Sequence, residues 1–252
     1  MMQPVLEVKN VTVKFGGVTA VEDASLTIEH GSLIGFIGPN GAGKTTLMRV
    51  ITGIVKPQTG EVRLEGQNLL GLSTNQRINA GLALAQQIVQ PLRSMTLLEN
   101  VALACGYIKT KNPLIAMITF DRKAENEKAM ELLTRVGLKD VAHQEPSKLP
   151  LGYLKRLEVA RALALNPKLL LLDEPLAGLN QSEAKSLADL IRALNDDGLT
   201  ILLIEHNLRE VMRICPEVYV QDQGRSLAFG PVKEVMSRPD VIEAYLGGSA
   251  NA

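Results

Sequence analysis

The stretch Gly38-Pro39-Asn40-Gly41-Ala42-Gly43-Lys44-Thr45 constrains this chain more than any other part of it. It fits GxxxxGK[ST], a pattern in which glycines let successive backbone N–H groups face a phosphate at a helix N-terminus. Lys44 then reaches the β- and γ-phosphates of a nucleotide, Thr45 offers its hydroxyl to Mg²⁺, and Thr46 extends the same binding set. Such a loop needs a buried strand before it and a helix after it. Leu33 to Ile37 is a continuous apolar run, and Lys44 to Thr52 reads as a helix.

A second signal stands far downstream. Leu169-Leu170-Leu171-Leu172-Asp173-Glu174 is an apolar strand ending in two carboxylates. The first can hold Mg²⁺ and the second can polarise a water for in-line attack. Alone, such a run also fits a strand end with a solvated acidic turn.

The rest of the chain reads as an α/β fold: a P-loop core with a mainly parallel sheet, an antiparallel N-terminal β part and an inserted helical lobe. Leu6 to Val11, Val13 to Phe15 and Ala24 to Ile28 alternate apolar and polar positions around Gly16-Gly17 and His30-Gly31, the pattern of a small antiparallel sheet, and a further strand pair follows at Glu61 to Leu64. From Thr96 to about Val136 the reading is helical. Asp121 is the expected N-cap there, and Ala129, Leu132, Leu133 and Val136 form an apolar stripe. After Leu157 come a helix to Leu165, a strand over Leu169 to Leu172, a helix over Ala184 to Leu194, a strand over Thr200 to Ile204 and a helix over Leu208 to Ile214. That rhythm belongs to a parallel sheet. A strand pair, Glu217 to Val220 with Ser226 to Phe229, and a helix ending near Gly247 close the chain. The expected division is a nucleotide-binding core of 1–95 and 157–252 with a helical lobe of 96–156.

Composition narrows the partners. Lys plus Arg and Asp plus Glu both number 27, so no basic field exists to draw the chain onto nucleic acid. Cys105 and Cys215 lack CxxC spacing and read as buried thiols of a reducing compartment. No signal peptide and no membrane-spanning run is expected, so any membrane role comes through partners.

Taken together, the phosphate loop, the Asp173-Glu174 strand end, Ala177-Gly178-Leu179-Asn180 and the Ile204-Glu205-His206 strand end resemble an ABC-transporter ATPase over nearly the whole chain. The resemblance implies ATP and Mg²⁺ as ligands. It places Phe15 against adenine and makes Glu174 the base and His206 the switch histidine that contacts the γ-phosphate. The Mg²⁺-sensing glutamine falls on Gln87, by alignment to Met95 through Val101, with Gln86 and Gln90 close by in the same loop. It further implies a second ATPase subunit, two integral-membrane permeases and, indirectly, an extracytoplasmic solute-binding protein, with the chain at the cytoplasmic face of the inner membrane. The uncharged segment Asn112 to Phe120 lies in the helical lobe and fits either a permease contact or filler for the lobe's own core.

The family's Leu-Ser-Gly-Gly-Gln signature is replaced by Leu149-Pro150-Leu151-Gly152-Tyr153. Gly152 remains to meet nucleotide. Pro150 has no N–H to donate and no hydroxyl, and Leu151 adds bulk where phosphate should approach. The C-terminal stretch, closing on Glu243-Ala244-Tyr245-Leu246-Gly247, resembles the branched-chain amino-acid importers and is shared in style with lipopolysaccharide-export and urea-uptake ATPases. A regulatory module that binds ATP without turnover also suits the altered signature.

Overall fold

In the computed structural model, which describes residues 3–110 and 122–247, two hydrophobic patterns sort the strands into two sheets. Strands β1 (Leu6–Phe15) and β2 (Val18–Ile28) mix buried and exposed positions along their length, as a sheet with one wet face does. They pair antiparallel from Leu6↔Ile28 to Phe15↔Val18. With β4 (Thr59–Leu64) and β5 (Gln67–Asn68) they form a sheet of order β2-β1-β4-β5.

Strands β3 (Leu33–Ile37), β7 (Leu169–Asp173) and β8 (Thr200–Ile204) are buried almost throughout, because both faces of their sheet are covered. With β6 (Leu82–Ala85), β9 (Glu217–Asp222) and β10 (Arg225–Pro231) they make a sheet of order β10-β9-β3-β8-β7-β6. It is parallel except for the β9–β10 hairpin.

The two-residue period of a strand divides the core. Ile34 and Phe36 of β3 join one hydrophobic cluster with residues of β1, β2 and helix α1 (Lys44–Thr52), while Leu33 and Ile37 join another on the opposite face. That second cluster gathers side chains from α3 (Leu97–Thr110), α4 (Lys123–Arg135), α5 (Leu151–Leu163), α6 (Gln181–Asp196) and α7 (Leu208–Ile214). Gly35 is needed for the close approach of α7: a Cβ there would sit 2.6 Å from Val211 Cγ1. The helices α8 (Val232–Val235) and α9 (Pro239–Gly247) end the described chain.

Several expectations meet the structure directly. Ala129, Leu132, Leu133 and Val136 are all buried. Asp121 and the segment 112–120 lie outside the described residues, and the N-cap of α4 is Arg122, with no side-chain cap. Helix α5 runs across the boundary expected at residue 157. Cys215 is buried, but Cys105 is only half-buried, which corrects the reading of both as buried thiols.

Short elements such as α8 had no counterpart in the sequence reading, and two of those without one border a cleft. One is helix α2 (Thr74–Ala80), started by a capping box between Ser73 and Gln76. The other is β6, the edge strand that leads into Gln87. Among the described residues no helix is long and apolar enough to cross a membrane.

Candidate active site

Open parallel sheets bind ligands beyond the carboxyl ends of their strands, and the predicted residues of the phosphate loop, Gln87, Asp173, Glu174 and His206 stand at such ends. The register aligns Ala85 with Leu172 and Asp173 with Ile204. Gln87, Glu174 and His206 therefore each stand within two residues of aligned strand ends.

The phosphate loop follows β3. Only glycine fits at Gly38, where φ is +152° and a Cβ would lie 2.0 Å from the Gln221 carbonyl. Gly43 is the N-cap of α1 in a left-handed conformation. The loop borders a cleft of about 330 Å³ lined by Asn40 through Thr46, Glu174 and His206, with Val18, Thr19 and Ala20 on the facing hairpin. Lys44 is buried, and its Nζ donates to the carbonyls of Gly38 at 2.7 Å and Pro39 at 2.9 Å. Burial pulls its pKa down, while the nearby Glu174 and Asp173 carboxylates push it up by less.

Glu174 sits in a left-handed conformation at φ +47°, tied by its N–H to the Ile204 carbonyl at 2.9 Å. Its side chain is engaged at both oxygens. Gln87 Nε2 donates to Oε2 at 2.6 Å, and His206 Nε2 lies 2.7 Å from Oε1. Gln86 instead borders a different cleft, and Gln90 offers its carbonyl to Arg161, so of the three glutamines Gln87 is the one seen on Glu174. The Asp173 carboxyl is raised above the ordinary carboxylate range, first by burial and then by the Glu174 charge.

Phe15 is 52% exposed at the end of β1, paired with Val18, which lines the cleft. It is an available surface ring and not part of the core. Gly152 lies on α5, away from the cleft lining, with Glu183 as its near neighbour.

The altered signature also takes a form the sequence did not foresee. Pro150 is the N-cap of α5, and the N–H groups of Tyr153 and Leu154 donate to its carbonyl. The open donors of a helix start include the N–H of the cap itself, and a proline there supplies none. Further differences are the absent hydroxyl and Leu151, which is 40% exposed and reaches toward Gly178.

Two buried charged groups complete the surroundings. Glu205 accepts from the backbone N–H groups of Leu176, His206 and Asn207, binding the loop after β7 to the loop after β8. Burial raises its pKa against the pull of those three donors. Lys155 of α5 reaches the same region from below and was not singled out in the sequence.

A glycine-rich loop on a helix N-terminus, facing acidic ends of neighbouring parallel strands, defines a P-loop nucleoside-triphosphatase. Residues 21–177 match the family model described as ABC transporter. LivG of Salmonella typhimurium, a high-affinity branched-chain amino acid transport ATP-binding protein, is 41% identical over 254 residues, covering 98% of this chain and 99% of the relative. LptB of Escherichia coli, a lipopolysaccharide export system ATP-binding protein, is 32% identical over 96% of this chain and 97% of its own. The ADP conformation of MJ1267, an ATP-binding cassette of an ABC transporter, has a TM-score of 0.85 at 32% identity, covering 97% of this chain and 99% of that one. The chain belongs to the ABC transporter family as one of its ATP-hydrolysing, ATP-binding subunits.

Proposed function

We propose that the chain drives uptake of branched-chain or other hydrophobic amino acids, paired with a second ATPase subunit beneath two permeases at the cytoplasmic face of the inner membrane. The cargo reading rests on the likeness to LivG. Permeases and, indirectly, an extracytoplasmic binding protein would select the solute. The chemical reading rests on one observation: both oxygens of Glu174 are held, by Gln87 and His206, at the mouth of the phosphate-loop cleft.

ATP is placed with its adenine against Phe15 and its phosphates over Gly38 through Thr46. Lys44 turns from the loop carbonyls to the β- and γ-phosphate oxygens, where its charge offsets the charge that builds up during transfer. The Thr45 hydroxyl, the Asp173 carboxylate and the Gln87 amide oxygen are hard oxygen donors of the kind Mg²⁺ takes together with phosphate oxygens. Among the described residues no three His, Cys, Asp or Glu side chains gather to hold a metal, so the substrate's own oxygens would complete the shell. The bound ion would supply further neutralisation of the phosphates.

Glu174 accepts a proton from the attacking water as its oxygen bonds to the γ-phosphorus. The bond to the bridging oxygen breaks, and ADP leaves with the electron pair. His206 holds the water beside the base and meets the γ-phosphate. Gly152, at the N-terminus of α5, serves the partner subunit's nucleotide.

In this scheme residues 1–95 and 157–252 form the nucleotide-binding core and 96–156 the lobe that faces the permeases, with helix α5 shared across that boundary. Two adjoining clefts of about 300 Å³ share Ile78, Leu84, Glu158, Arg161 and Leu165, with Ile88 and Leu103 exposed at their edges. This groove between core and lobe is the surface we assign to a permease. The likeness to LptB supports a second reading, with lipopolysaccharide export as the driven process.

Phosphate release from the assembled complex tests the chemistry. Glu174→Gln should lose roughly 100-fold or more in rate while still binding ATP, and wild-type turnover in that variant would overturn the assignment of the base. Leucine uptake into vesicles carrying the complex tests the cargo.

A further inference from the structure

Lys155 is 4% exposed, yet among the described residues its ammonium has no carboxylate partner within 4 Å. A buried charge is tolerated only where hydrogen bonds replace water. Here those bonds go to backbone. Nζ donates to the carbonyl of Gln87 at 2.7 Å and to the carbonyl of Glu174 at 3.3 Å. Burial lowers the lysine's pKa, with the surrounding carboxylates of Glu205, Glu174, Asp173 and Glu158 opposing that shift.

The two carbonyls belong to the two residues whose side chains meet at 2.6 Å in the cleft. They are 87 positions apart in sequence and come from loops after different strands. Loops of that kind owe their relative position to whatever clamps them. Lys155 grips both from a third element, helix α5, four residues after Leu151 and so on the same face as the signature's exposed leucine.

We infer that Lys155 is a positioning residue for hydrolysis, a clamp that holds the Gln87 loop against the Glu174 loop so that amide and carboxylate stay in register with the attacking water. It touches neither substrate nor reacting atoms. The inference rests on the reading of Glu174 as the base.

The test uses the full chain in its complex, with turnover and affinity for a fluorescent ATP analogue measured side by side. Lys155→Met should lower kcat about tenfold or more and leave nucleotide affinity within about threefold of wild type. Gln87→Ala should absorb most of that effect. The double variant should lose no more than about threefold beyond the worse single variant, because the clamp then has no amide to position. Equal losses in kcat and affinity, or losses that multiply independently, would overturn the inference in favour of a structural lysine. Melting curves check that each variant folds. Lys155→Leu, which likewise removes the donor, replaces Lys155→Met if the latter does not fold, and the same outcomes decide. Glu174→Gln is measured in parallel. Full activity there removes the base assignment and this inference with it, whereas a Glu174→Gln loss beside an unaffected Lys155→Met removes this inference alone.

Discussion

His206 presents Nε2 to Oε1 of Glu174 at 2.7 Å. An ionised carboxylate only accepts, so with Glu174 charged this ring nitrogen carries the hydrogen. The histidine is thus aimed at the base before any ligand arrives. His206→Ala should cut turnover by roughly 100-fold while ATP affinity changes by less than about threefold. Matching losses in both would make the residue a structural one.

Asp173 should reveal itself through pH. Burial and the Glu174 charge raise its carboxyl in the folded chain, so the folded state binds that proton more tightly than the unfolded state. Stability then falls as pH rises from the ordinary carboxylate value, about 3.9, through the raised folded value. Asp173→Asn removes this penalty. In the nucleotide-free chain, its melting temperature should match wild type at the acid end of that window and exceed it at neutral pH, at ~2–4 °C per kcal/mol. A variant that melts no higher than wild type at neutral pH would show that the acid carries no burial penalty.

Restoring the signature tests asymmetry between paired subunits. Loss of one hydrogen bond to a charged phosphate removes about 1.5–3 kcal/mol, or roughly 10- to 100-fold if felt in the transition state. We expect a heterodimer with two unequal sites and weak turnover from this chain alone. Pro150→Ser with Leu151→Gly should raise single-chain turnover about tenfold or more. An unchanged and already brisk rate would mean that Gly152 and the helix N-terminus suffice.

Arg77 predicts a stability effect. Its guanidinium is buried and donates to the carbonyls of Val50 at 2.6 Å, Ile51 at 2.8 Å and Leu72 at 3.2 Å. Two of those acceptors lie in the last turn of α1, where the helix dipole favours a cation. Arg77→Met should destabilise the chain by about 3 kcal/mol, lowering the melting temperature by ~6–12 °C at ~2–4 °C per kcal/mol. A melting curve that overlays wild type would show these bonds to be neutral on balance.

What the sequence discloses and what it hides follow one physical division. Lys44, Asp173, Glu174 and His206 were legible because each stands at a strand end or loop whose chemistry is written within a few neighbouring residues. Gln87 was harder, since β6 is four residues long and Leu82-Ala83-Leu84-Ala85 lacks the branched side chains that mark a strand. Helix α2 went unread although its Ser73 to Gln76 cap was present in the letters. Lys155 and Arg77 were invisible for a different reason. Each serves backbone carbonyls that the fold brings from 68 or 27 positions away, and carbonyls carry no sequence signal. Which residue caps α5 was hidden as well, because the fold sets the helix boundary, and Pro150 stands one residue before the first helical one.

The two bonds from Lys44 to the Gly38 and Pro39 carbonyls also bear on how long a ligand stays. A buried ammonium with no alternative would cling to any phosphate it met. This one has internal acceptors waiting, so the loop competes with its own ligand, and departure of the nucleotide does not leave a stranded charge. The expected consequence is a weaker hold on phosphate and a faster nucleotide off-rate than a lysine without such acceptors would give. Brief residence of that kind suits a subunit that must discharge ADP in every cycle more than one that stores nucleotide.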